Sequence, residues 1–151
     1  MRRASARSAI PLTPPDTLRL WSDTERWPSF VEGFARRLEL SPQWPEPGAR
    51  VVWESTPDGR GRVTETVTEN LADRFATQVF ETALTGTQML RVLPASDGSE
   101  VELSLEYELA RYGPLGGVAD ALFIRRALRD MLRRTLFRFG VEAEEEARLL
   151  L

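Results

Sequence analysis

The chain contains no cysteine and no histidine. Without cysteine there is no disulfide framework, no thiolate nucleophile and no thiolate metal site. Without histidine the usual general base near neutral pH, the commonest metal ligand and every Ser-His arrangement are gone. Lysine is missing too, so all 20 basic residues are arginine, and neither Schiff-base chemistry nor a phosphate-loop lysine is available. So complete a replacement reads as coding bias and marks no single arginine as special. Long apolar runs are also missing: no window approaches a membrane span, and the basic start Met1-Arg2-Arg3 leads into nothing of signal-peptide length. A cytoplasmic protein is therefore expected. The 20 basic residues face 23 acidic ones for a net charge of -3, a poor electrostatic footprint for nucleic acid. No nucleic-acid partner, metal or cofactor is expected.

What is present points to a single domain over 1–151, with an ordered core from about residue 7 to 147. A chain of 151 residues buries roughly two thirds of its unfolded surface. Its organising stretch is the last one. Gly113-Pro114-Leu115-Gly116-Gly117 is a helix start signal. Ala121, Ile124, Leu128, Met131, Leu132, Thr135 and Phe139 then recur at three- and four-residue spacing and form one apolar stripe. Leu128 lies at mid-stripe and is expected to be buried. Arg125, Arg126, Arg129, Arg133, Arg134 and Arg138 crowd the other side, either as a solvated helix back or as a ridge for transient contact with an anionic membrane surface. The acidic run Glu142, Glu144, Glu145, Glu146 extends the helix as a solvated tail.

Upstream the pattern changes from helix to strand. Ser8, Ile10 and Leu12 form a short first strand, and Thr13-Pro14-Pro15-Asp16 caps a short helix carrying Leu18, Leu20 and Trp21. Ser22 or Asp23 caps a second short helix through Trp27 and Phe30. About six further strands follow, joined by hairpin-length turns such as Pro57-Asp58-Gly59. Val101, Leu103, Leu105, Tyr107 and Leu109 alternate with Glu102, Ser104, Glu106 and Glu108 in the clearest of them. Strands linked this closely pair antiparallel. One sheet with one apolar face and one helix with one apolar stripe pack by curling the sheet round the helix.

Several strings carry a family likeness: Trp27-Pro28-Ser29-Phe30, Gly48-Ala49-Arg50-Val51-Val52-Trp53-Glu54-Ser55, and the glycine-rich opening of the last helix. With the element order, they make nearly the whole chain resemble the START-like, or Bet v 1-like, superfamily of polyketide cyclases, dehydrases and lipid transporters. The resemblance implies an α+β helix-grip fold, a curved antiparallel sheet of about seven strands around a C-terminal helix, with two short helices after strand 1. It also implies a cavity for a hydrophobic small molecule. The leading expectation is binding or carriage of a lipid, quinone or polyketide-like molecule. The alternatives are a cofactor-independent cyclase, aromatase or dehydratase, and a protein-interaction module with a vestigial cavity. None of the strings is a catalytic signature.

The residues alone place bulky side chains between sheet and helix, where they either fill the gap or line it. Trp27, Phe30, Trp53, Phe80, Met89, Leu105, Tyr107 and Leu122 are the candidates, with Gly116 and Gly117 thinning the helix at an entrance. A pocket of roughly 300 Å³ or more would suit a ligand. Tyr107 shares the parity of Leu103 and Leu105, so its phenol should point inward, to a backbone group or to a ligand. Glu65 shares the parity of Val63 and Val67. It is either exposed near a strand end, paired with arginine, or buried with its acidity weakened. For an enzyme, Glu65 and Tyr107 with an inward Arg36 or Arg91 would carry proton transfer and enolate stabilisation. The glycines of Asp58-Gly59-Arg60-Gly61 lie in a hairpin and carry no phosphate-loop reading.

Overall fold

The computed structural model describes residues 2–110 and 118–151, with side chains from 122 onward in the last helix. The elements run β1 (Arg2–Ile10), α1 (Pro14–Ser22), a single 3-10 turn (Thr24–Arg26), α2 (Trp27–Phe30), β2 (Phe34–Leu40), β3 (Arg50–Ser55), β4 (Arg62–Leu71), β5 (Arg74–Phe80), β6 (Leu84–Ala95), β7 (Gly98–Leu109) and α3 (Val118–Leu149). Among the described residues seven strands form one sheet in the order β1-β7-β6-β5-β4-β3-β2, every pair antiparallel. This is the helix-grip arrangement, and its logic is the one the alternation implies: every strand except the edge strand β2 carries fully buried side chains, and α3 fills the concave side.

Local signals explain where elements begin. The Thr13 side chain accepts from the Asp16 backbone N–H, and Pro14 and Pro15 occupy the first turn of α1, where a missing N–H costs nothing. Asp23 caps the 3-10 turn by accepting from the Glu25 N–H at 3.1 Å. β1 starts at Arg2, well before Ser8, because Ala4 and Ala6 are buried against β7 opposite Leu105 and Leu103. Two glycines are required by close approach. A Cβ at Gly86 would lie 2.2 Å from the Glu106 carbonyl oxygen, so β6 passes β7 at a distance only glycine permits. Gly98, at φ +143°, would press a Cβ to 2.2 Å from the Ile10 oxygen, where the β6–β7 hairpin meets the end of β1.

α3 grips unevenly. Leu132, Thr135, Leu136, Phe139 and Ala143 are buried, while Ile124, Leu128 and Met131 are only half-buried and packed at the edge of the core. The expected stripe is thus displaced toward the C-terminus, and Leu136 and Ala143 join it. Gly140 does not break the helix, because its neighbours Phe139 and Ala143 are held by tertiary packing. Phe139 meets Phe30 at 4.9 Å and Trp21 at 5.2 Å between ring centroids, and Trp21 stacks on Phe30 at 5.4 Å, so α1, α2 and α3 share one aromatic knot. Arg26 adds a clamp to the far end of α3, bonding Glu142 at 3.0 Å and Glu146 at 2.8 Å; this part of the acidic run is therefore paired and not merely solvated.

The arginine ridge is split. Arg134 and Arg138 reach down to Glu32 at 3.1 and 3.5 Å, whereas Arg125, Arg126 and Arg129 are exposed and have no ion-pair partner among the described residues. No described helix is long and apolar enough to cross a membrane.

Candidate functional site

The sheet register sets the site. Across the inner face Tyr107 of β7 lies opposite Gly86 of β6, Gly86 opposite Val79 of β5, Val79 opposite Glu65 of β4, and Glu65 opposite Val51 of β3. Glu65 and Tyr107 therefore occupy one row of the concave surface, with glycine and valine as the floor between them. Period-two alternation is enough to put both inside.

Glu65 is buried at 4% exposure and both of its oxygens are held. Trp53 Nε1–H donates to Oε2 at 2.8 Å and Thr77 Oγ1–H donates to Oε1 at 2.8 Å. Burial raises its pKa above the ordinary carboxylate value. The Trp53 bond, the Arg60 charge and the Thr77 bond oppose that rise, and the Glu81 charge reinforces it.

Arg60 comes from the β3–β4 hairpin, not from a strand. Its guanidinium lies 5.2 Å from the Trp53 ring centroid, and its Nε pairs with Glu81 Oε2 at 2.5 Å. The two side chains are 15% and 4% exposed, so this is a mostly buried pair. Nε is taken by Glu81, and among the described residues the terminal nitrogens of Arg60 have no acceptor. Arg60, Glu65, Trp53, Gln88, Thr135 and Met131 line a small cavity, with Trp21, Trp27, Val31, Leu103 and Leu132 around it. Its volume is about 20 Å³, room for one water-sized group. This cavity falls far short of the roughly 300 Å³ expected for a ligand pocket. It is a polar niche in an aromatic wall. No described group of three or more acidic residues could hold a metal ion.

The other expected residues divide. Trp27, Phe30, Trp53, Leu105 and Tyr107 are buried in the core. Phe80 is 49% exposed and Leu122 61% exposed. Met89 lies on the outer face of the sheet in a groove with Arg3, Arg91 and Glu102. Arg36 is exposed and pairs with Glu54, and Arg91 is exposed beside Met89. Neither is an inward arginine; that position belongs to Arg60. Gly116 and Gly117 lie outside the described residues. The cause of the misplacements is parity: on β6 the inward residues are Leu84, Gly86, Gln88, Leu90 and Val92, so an apolar Met89 falls on the outside.

Tyr107 has 0% exposure, and its hydroxyl has no hydrogen-bond partner among the described residues. A buried hydroxyl without a partner costs free energy. Tyr107→Phe is accordingly expected to stabilise the ligand-free protein by about 1 kcal/mol. A urea midpoint that falls in this variant would show that the hydroxyl has a partner after all.

The profile of a protein family described as Polyketide cyclase / dehydrase and lipid transport matches residues 1–144. No curated protein sequence matches the chain. Among solved structures, TTHA0849 of Thermus thermophilus superposes with a TM-score of 0.75 at 19% identity, over 96% of this chain and 99% of that one. The di-domain ARO/CYC StfQ from the steffimycin biosynthetic pathway superposes at 0.78 with 16% identity, over 96% of this chain and 51% of that one, so this chain spans about half of it. A START superfamily protein of Mycobacterium smegmatis gives 0.73 at 13% identity, over 95% and 97%. At these identities the likeness is one of fold.

Proposed function

Because the chain belongs to the polyketide cyclase/dehydrase and lipid transport family, we propose that it binds a largely apolar small molecule whose oxygen-bearing end sits against Glu65 and Arg60. The observation that supports this most is the polar niche itself. A carboxyl group and a guanidinium kept inside an aromatic core add little to stability, since apolar residues of similar volume serve as well or better. A few placed polar groups in an apolar wall are what small-molecule recognition requires. Met131 lines the niche and is half-buried, as are Leu128 and Ile124, one and two turns before it on α3.

A second reading, acid–base chemistry on the bound molecule, is favoured by the state of Glu65. A carboxyl that keeps its proton to higher pH than usual can pass it to a carbonyl oxygen, and the free terminal nitrogens of Arg60 could stabilise the enolate that forms.

One experiment separates these. An organic extract of freshly purified protein, compared by mass spectrometry with that of an unrelated protein prepared alongside, should contain an enriched apolar molecule with a carbonyl or hydroxyl group. Glu65→Gln should bind it within a few-fold of the parent. If the protein also converts the molecule, the same variant should lose roughly 100-fold or more in turnover. An extract with nothing enriched, together with no thermal shift from a panel of aromatic ketones, quinones and phenols, would overturn the binding reading.

A further inference from the structure

Glu81 belongs to no expected site, yet its side chain is only 4% exposed and lies against Arg60, the one arginine among the described residues that lines the niche. We infer that Glu81 sets the charge selectivity of the pocket, so that it takes ligands with a neutral oxygen function, a carbonyl, enol or phenol, and rejects those ending in a carboxylate. This rests on the reading of the niche as a ligand site. Charge balance at Arg60 is decisive. Arg60 alone would make the niche a receptor for anions. Its Nε is instead bound at 2.5 Å by Glu81, in surroundings where a charge pair is poorly screened. A ligand arriving from the niche side meets a neutralised pair whose terminal N–H groups can still donate hydrogen bonds. It also meets the Glu65 carboxyl, held by Trp53 and Thr77. A carboxylate ligand would add a further negative charge beside two acidic side chains with only one arginine among them, and it would have to shed its water to get there. A neutral oxygen needs only the donors. Gln88 and Thr135, which also line the niche, are neutral and add no charge.

The test uses two aromatic probes of nearly equal size, 1-naphthol, which is neutral at pH 7, and 1-naphthoate, which is anionic there. Titration calorimetry on the intact chain is expected to give at least tenfold tighter binding of 1-naphthol. In Glu81→Gln, 1-naphthoate should gain tenfold or more while 1-naphthol changes little. Equal or tighter binding of 1-naphthoate to the parent protein, or an unchanged gap in a folded Glu81→Gln, overturns the inference and leaves the ligand site standing. Failure of both probes to bind at millimolar concentration would count against the site itself, and the inference would go with it. Should Glu81→Gln not fold, Glu81→Asp, which keeps the charge but draws it back from Arg60 Nε, is expected to narrow the gap between the probes; an unchanged gap there overturns the inference.

Discussion

Phe139→Ala is expected to cost roughly 3–5 kcal/mol of folding stability, the range for deleting a buried aromatic ring. The residue is fully buried on the inner face of α3 and touches rings from both short helices, Trp21 at 5.2 Å and Phe30 at 4.9 Å. Its removal therefore opens a void at the junction of three helices. Neighbouring Leu136 and Ala143 cannot swing into that void, because they are already buried at their own contacts along the helix. Against a total stability of about 5–15 kcal/mol for a domain, such a loss leaves a marginal protein. Leu128→Ala serves as the internal comparison. Leu128 is half-buried at the looser first half of the grip and should lose less than about 2 kcal/mol, since fewer of its contacts vanish. Urea unfolding of the two variants measures the difference. Equal losses would mean that α3 is held as firmly near Leu128 as near Phe139.

That gradient along α3 shows how far the sequence carries and where it stops. The apolar stripe, the antiparallel strands and the inward parity of Glu65 and Tyr107 are all legible, because each rests on a period that a long element repeats several times. Leu136 and Ala143 escape because the stripe drifts round the helix and small alanines do not announce burial. Phe80 and Met89 mislead for a related reason. β6 gives two of its inward positions to Gly86 and Gln88, so the apolar period breaks and Met89 looks like the inward residue, while Phe80 ends β5 one position past the inward Val79 and so falls on the opposite face. Arg60 has no period at all. It sits in a glycine-flanked hairpin, and only the three-dimensional return of that hairpin over Trp53 brings it to Glu65. Parity could place the carboxyl group in the core. It could not identify the cation that faces it.

The strongest consequence of that pairing appears when the cation is taken away. Arg60→Met keeps the volume of the stem but leaves Glu81, 4% exposed, without its partner and close to Glu65. Breaking a buried pair by removing one member typically costs 3–5 kcal/mol, because an uncompensated charge stays behind. The 15% exposure of Arg60 argues for the lower end, about 3 kcal/mol at neutral pH. Adding Glu81→Gln removes the orphaned charge and should restore most of the loss, an interaction energy that a double-mutant cycle reads directly. The pH dependence has a definite sign. Burial already raises the pKa of Glu65 in the folded state, so the stability it contributes is fully present below the ordinary carboxylate value of 4.5 and is lost as pH climbs through the raised one. Arg60 opposes that rise, and its removal pushes the folded-state pKa of Glu65 further up while the like charge of Glu81 continues to press in the same direction. The damage done by Arg60→Met should therefore be smaller near pH 4, below the raised pKa of Glu65, and grow toward pH 7.5. Urea midpoints at the two pH values test this. A loss of the same size at both would mean that Arg60 contributes by packing over Trp53 and not by its charge.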